Sequence, residues 1–149
     1  MITVEVMDIS HYDKALALWK STKGMGMKTL DDSREGIYKF LLRNPSTSFA
    51  AFDGESLVGV ILCGHDGRRG YIYHTAVLES RRGFGIGRLL LENAEKALIN
   101  EGINAIGLVV YCDNESGNGF WEKNGYFKRT DLIYRTKYLN KNNIEWRNT

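Results

Sequence analysis

Apolar and polar residues recur along this chain with two periods, and each switch between periods marks an element. Alternation over Ile2 to Ile9 predicts a strand. Ser10 is a candidate cap for a helix with apolar positions at Ala15, Leu16, Leu18 and Trp19. Lys23-Gly24-Met25-Gly26-Met27-Lys28 breaks that pattern as a flexible, partly apolar loop. Asp31 and Asp32 favour the start of a second helix, which runs through Ile37, Phe40 and Leu41 and stops before Pro45. Three strands follow, Ser48 to Phe52, Leu57 to Cys63 and Tyr71 to Leu78, with turns at Asp53-Gly54 and His65–Arg68. A helix over Gly87–Glu101 turns Leu90, Leu91, Ala94, Ala97 and Leu98 inward and stops at Gly102. Ile103 to Tyr111 is nearly all apolar, which predicts a central strand buried on both faces. A short helix over Gly117–Lys123, two final strands (Tyr126–Thr130 and Leu132–Tyr138) and a frayed polar tail from Asn140 complete the reading. The order is β-α-α-β-β-β-α-β-α-β-β.

The 149 residues read as one domain over 1–149, long enough for a core. A formal net charge of +2, with no run of like charges, argues against a nucleic-acid partner. No apolar stretch approaches a membrane span and the N-terminus carries no signal-peptide pattern, so a cytoplasmic protein is expected. Cys63 and Cys112 sit on apolar, strand-like runs without a Cys-His cluster. Buried free thiols and no metal site are expected.

The chemistry concentrates in Arg81-Arg82-Gly83-Phe84-Gly85-Ile86-Gly87-Arg88, between a strand and a helix. Alternate glycines at a helix N-terminus leave backbone N–H groups uncovered, and the helix end adds partial positive charge. Such a turn can cradle a phosphate or diphosphate. A dinucleotide fingerprint needs a third glycine where Leu90 stands, and a Walker loop needs Gly-Lys-Ser/Thr where Gly87-Arg88-Leu89 stands. Both are excluded.

What remains, Arg82-x-x-Gly85-x-Gly87 after a strand ending in Ala76-Val77, resembles the acyl-CoA-binding motif of the GNAT superfamily of N-acetyltransferases. Asn114, followed by Phe120-Trp121-Glu122-Lys123-Asn124-Gly125-Tyr126, resembles a second segment of that family, and the element order matches along nearly the whole chain. Gly64-His65-Asp66-Gly67-Arg68-Arg69-Gly70 is similar to small bacterial members of the YpeA type. The resemblance implies an α/β (α+β) fold: a mixed, largely antiparallel twisted sheet of six or seven strands flanked by about four helices.

It also implies acetyl transfer from acetyl-CoA to a primary amine, on a small molecule or a peptide, with homodimers common in the family. Residues Arg82, Gly83, Phe84, Gly85, Ile86, Gly87 and Arg88 would wrap the CoA diphosphate. Ala76, Val77 and Leu78 would carry the pantetheine arm and thioester beside a bulged strand, with a backbone N–H near Val77 on the acetyl carbonyl. Asn114, Trp121 and Lys123 would complete the cosubstrate site. The family often has a glutamate base where this chain has Tyr73 and a tyrosine acid where it has Trp121. Tyr73, His74 and Glu79 are therefore the candidate bases, and Tyr111 or Tyr126 the candidate acids. Strand alternation, with a bulge near Val77, sets Tyr73 and His74 on opposite faces. A non-catalytic acyl-CoA sensor is the competing reading, because indole does not titrate in this range. The Lys23–Lys28 loop is expected to border the acceptor side, its charge suiting an acidic acceptor.

Overall fold

The structure, a computed structural model, describes residues 1–148. β1 (Ile2–Val6) leads through a short 3-10 turn, Ile9–His11, into α1 (Tyr12–Ser21). Ser10 does not cap α1, whose cap position is His11 without a side-chain bond; Asp8 caps the 3-10 turn, its carboxylate accepting the Ser10 N–H while the Asp8 N–H donates to His11 Nδ1. β2 (Gly26–Lys28) occupies the second half of the expected flexible loop. α2 (Arg34–Arg43) is capped by Ser33, which accepts the Gly36 N–H at 3.1 Å, so the helix starts after Asp31 and Asp32. β3 (Phe49–Asp53), β4 (Ser56–His65) and β5 (Gly70–Val77) form the expected meander. Then come α3 (Ile86–Asn100), β6 (Ile106–Leu108), α4 (Glu115–Lys123) and β7 (Glu145–Arg147).

The main sheet runs β1-β3-β4-β5-β6, antiparallel except for the β5–β6 pair. One face packs on α1 and α2 through Leu18, Trp19, Ile37, Val60, Leu62 and Ala76. The other packs on α3 and α4 through Ile61, Ile72, Leu90, Leu91, Leu98 and Trp121. These side chains are buried. Cutting one such as Leu90 back to alanine costs about 2–5 kcal/mol.

Three features position the cleft described below. β6 lies at the sheet edge, not its centre, and pairs with β5 only over Gly70–Ile72, so the far half of β5 has a free edge. The β4–β5 register steps from Ile61↔Thr75 to Cys63↔Ile72. Tyr73 and His74 therefore stand two against Leu62, a bulge earlier in the strand than Val77. The extra residue cancels the expected alternation: Tyr73 meets Phe40 of α2 and His74 meets Trp19 of α1, on one and the same face.

The third feature is the C-terminal region. Residues 126–138 form no strand, because 127–139 make no backbone hydrogen bond among the described residues. Alternate side chains, Tyr134, Thr136 and Tyr138, line the cleft, although the whole segment 131–140 is exposed. The tail beyond Asn140 does not fray. β7 pairs antiparallel with β2, and the Asn148 amide donates to the carbonyls of Trp19, Lys20 and Thr22. Of the two free thiols, Cys63 is buried as expected, but Cys112 is exposed because the ladder ends at Leu108.

Candidate active site

Where β5 and β6 part, a cleft of about 900 Å³ opens. Its walls are the free half of β5, residues Val109–Tyr111 beyond β6, the β2–β7 pair and the 134–138 segment. Tyr73, His74, Thr75, Tyr111, Asn114 and Trp121 all line it. The structure thus brings together residues that are distant in the chain.

At one end of β5 lies the glycine turn. Gly83 and Gly85 adopt φ of +85° and +81°, a left-handed backbone in which side chains are strained, and open space surrounds both α-carbons. α3 has no side-chain cap. Among the described residues, the N–H groups of 83–88 have no partner, whereas that of Arg82 donates to the Glu79 carbonyl. Bare donors converging at a helix start form an anion cradle. Gly87 lets Phe120 approach, since a Cβ there would lie 3.2 Å from its ring. Phe84 is exposed, and Arg88 pairs with Glu92 at 3.0 Å.

The adjoining strand is oriented for an added ligand. The Leu78 N–H donates to the Val58 carbonyl, which removes it from the cleft. Alternation along the strand then turns the Val77 N–H toward the free edge. Arg82 folds back, with Nε donating to the Val77 carbonyl at 3.1 Å.

Asn114 caps α4 by accepting the Gly117 N–H at 2.9 Å, which leaves its amide nitrogen for the cleft it lines. Trp121 is mostly core, packed edge-on to Phe120 and Tyr126. Lys123, in the last turn of α4, makes no ion pair among the described residues. Of the two candidate acids, Tyr126 is engaged elsewhere, donating to Glu95 at 2.7 Å. Tyr111 reaches the cleft, and burial, with Glu145 nearby, raises its phenol above the ordinary range.

Among the candidate bases, Glu79 is exposed and lies outside the cleft lining. Tyr73 is raised by burial, then by Tyr134 and Asp31, so it holds its proton at neutral pH. His74 meets a partner that sequence patterning assigned only to a helix start: Asp32 is buried, and its Oδ1 lies 2.6 Å from His74 Nε2. A contact between residues so far apart in the chain leaves no local signal. Lys28, on β2, pairs with Glu145 of β7 at 3.6 Å. Burial works to lower Lys28, but Tyr138, Glu145 and Asp32 outweigh it and hold it raised. No cluster of His, Cys, Asp or Glu suited to a metal occurs among the described residues.

The sequence model of the acetyltransferase (GNAT) family matches residues 14–126. An acetyltransferase of Yersinia enterocolitica is 28% identical over 136 residues, 91% of this chain and 94% of its own. N-alpha-acetyltransferase 30 of Schizosaccharomyces pombe is 33% identical over 110 residues, 70% of this chain and 72% of its own. The PaiA N-acetyltransferase of Thermoplasma acidophilum, solved in complex with coenzyme A, superposes with a TM-score of 0.71 at 16% identity, over 99% of this chain and 98% of that one. AAC(6')-Iy, solved with a bisubstrate analogue, gives 0.71 at 16% identity over 93% and 99%. The two solved structures share the fold. On the family match, the chain belongs to the acetyltransferase (GNAT) family and is an acyl-CoA-dependent N-acetyltransferase.

Proposed function

We propose that this protein, as a single catalytic domain, transfers an acetyl group from acetyl-CoA directly to a primary amine of a small molecule or peptide. The observation that carries the reading is the run of unpartnered N–H groups at 83–88 beside the free edge of β5. The diphosphate sits on those amides between Arg82 and Arg88. The pantetheine arm lies along Ala76 and Val77 as an added strand, held by the Asn114 amide and packed near Trp121. The Val77 N–H then polarises the acetyl carbonyl. Lys123 adds charge near the phosphates.

The attacking nitrogen must be neutral. At pH 7 a lysine amine of pKa ~10.4 carries a deficit of roughly 4–5 kcal/mol, against about 1 kcal/mol for an α-amine near ~8. The nitrogen bonds to the acetyl carbon and gives up one proton to a base in the cleft, the C–S bond breaks, and Tyr111 donates a proton to the sulfur. Trp121 cannot do so. The cleft's aromatic wall of Phe40, Tyr71 and Tyr73 and the similarity to an N-alpha-acetyltransferase favour an α-amine acceptor.

Release of free CoA thiol, measured across small amines and peptides with free N-termini, tests the reading. Turnover above hydrolysis with any acceptor supports it. Acetyl-CoA binding with no turnover would favour an acyl-CoA sensor, a reading motivated by Trp121 at the usual acid position. A cytoplasmic location fits acetyl-CoA supply; among the described residues no helix is long and apolar enough to cross a membrane. The unpaired backbone of 127–139, with Phe127, Leu132, Ile133 and Leu139 exposed, offers a second copy a strand edge. Analytical ultracentrifugation showing only monomer would remove that homodimer.

A further inference from the structure

We infer that Asp32 fixes the tautomer of His74 so that the ring's Nδ1 takes the proton released by the acceptor amine. The inference rests on the acetyl-transfer reading above and adds to it a positioning residue, Asp32.

The geometry is specific. The bulge at Tyr73–His74 turns His74 onto the α1 face, where its side chain is 13% exposed and that of Asp32 is 8% exposed. Asp32 cannot swing away. Its Oδ2 accepts the Lys28 N–H at 2.7 Å, its carbonyl accepts the Tyr12 hydroxyl at 2.7 Å, and Trp19 packs edge-on to the imidazole at 5.0 Å. An ionised carboxylate only accepts hydrogen bonds, so Nε2 of the neutral ring must carry the hydrogen. The lone pair is then on Nδ1. No described group bonds Nδ1, and it is not among the sealed polar atoms without a partner, which are Trp19 Nε1 and Thr75 Oγ1. His74 lines the cleft, and Nδ1 is the ring nitrogen not engaged by Asp32.

The proton balance is simple. As nitrogen bonds to the acetyl carbon and the C–S bond breaks, the nitrogen's proton passes to Nδ1, Tyr111 protonates the departing sulfur, and the phenol regains its proton from solvent. Asp32 offsets the charge of the resulting imidazolium, and an orienting carboxylate behind a histidine base serves the same end in hydrolytic triads. The other ionisable groups around the cleft are Lys28 and Glu145, which pair with each other, Asp31 in the loop before α2, Lys23, Arg43, His65, Asp66 and Arg69 at its rim, and the phenols of Tyr12, Tyr71, Tyr73, Tyr111, Tyr134 and Tyr138.

The test combines a spectrum with kinetics. In the wild-type protein at pH 8, long-range proton–nitrogen correlation of the His74 ring is expected to show the Nε2–H tautomer. In Asp32→Asn the new amide oxygen keeps the Lys28 bond while its NH₂ donates to Nε2, which forces the hydrogen onto Nδ1. With acetyl-CoA and a panel of tetrapeptides with free N-termini, Asp32→Asn and His74→Gln should each lose about 10²-fold in kcat with KM for acetyl-CoA unchanged. The acid limb of the pH profile should disappear in His74→Gln. An Nδ1–H tautomer in the wild type would overturn the inference, whatever the variants do. So would folded variants with kcat and pH profile within twofold of wild type, which would leave the pair as a brace between α2 and β5. Failure of the wild type to bind acetyl-CoA by calorimetry would instead refute the acetyl-transfer reading, and the tautomer spectrum keeps the two apart.

Discussion

The Arg147 guanidinium lies 3.9 Å from the ring centre of Tyr111. It also grips Asp113 with two hydrogen bonds, at 2.7 and 3.2 Å. Tyr111 also packs closely against Gly26. The proposed acid is thus held by the small β2–β7 sheet, which joins residue 26 to residue 147.

Gly26→Ala tests that hold. A Cβ there would lie 2.5 Å from the Tyr111 hydroxyl oxygen, so the ring must move. A displacement on that scale predicts a loss of about 10–10² in kcat, with acetyl-CoA affinity within twofold. Steady-state kinetics on a folded variant decide. An unchanged kcat would remove Tyr111 from the chemistry.

Gly85→Val tests the cradle. Its φ of +81° costs a side chain roughly 1–2 kcal/mol, and a β-branched one more. The new methyls would stand where the diphosphate approaches the amides. Acetyl-CoA binding, measured by calorimetry, should fall at least tenfold while circular dichroism shows a folded protein. Wild-type affinity would place the cosubstrate elsewhere.

Thr75 carries a buried hydroxyl with no partner, on a residue that lines the cleft. Thr75→Val deletes that unsatisfied group at nearly constant volume. The free protein should keep its melting temperature or gain up to about 1 kcal/mol. A destabilised variant would mean that the hydroxyl is already satisfied.

Alkaline pH tests the core. Burial, with a smaller push from Glu95, raises the Cys63 thiol from 9.0 to about 12. The folded state keeps this proton longer than the unfolded chain does. Its contribution is complete below pH 9.0 and is lost as pH rises from there toward about 12. Tyr126, raised by burial and by Glu95, acts in the same sense at higher pH. The denaturation midpoint should drop between pH 8 and 11, and less steeply in Cys63→Ala. Identical slopes would show that Cys63 is not sealed. In the native protein, Cys112 should react at once with a thiol reagent.

Periodicity and turn chemistry made most of the fold legible. The 48–102 region follows local rules, with apolar runs bounded by turn residues in β3 to β5, a glycine start and a glycine stop for α3. Three things were not local. The bulge at Tyr73–His74 depends on Leu62 across the sheet, so counting along one strand assigned the two side chains to opposite faces. Residues 126–138 have strand composition, but among the described residues no strand edge pairs with them. The polar tail gave no apolar signal, because β7 is held by backbone pairing and by Asn148. The glycine cradle was readable because its chemistry is backbone chemistry, fixed by residue type. The Asp32–His74 contact was not, because it forms only when the segment before α2 packs against β5.

The central claim is that the amides of residues 83–88 bind the diphosphate of acetyl-CoA and so set the thioester beside Val77. A titration of the nitrogen-15-labelled protein with acetyl-CoA, followed amide by amide, tests this most directly. The largest shifts are predicted at Gly83 through Arg88 and at Val77, saturating together. Unmoved peaks there at millimolar ligand, or saturation confined to another surface, would contradict it.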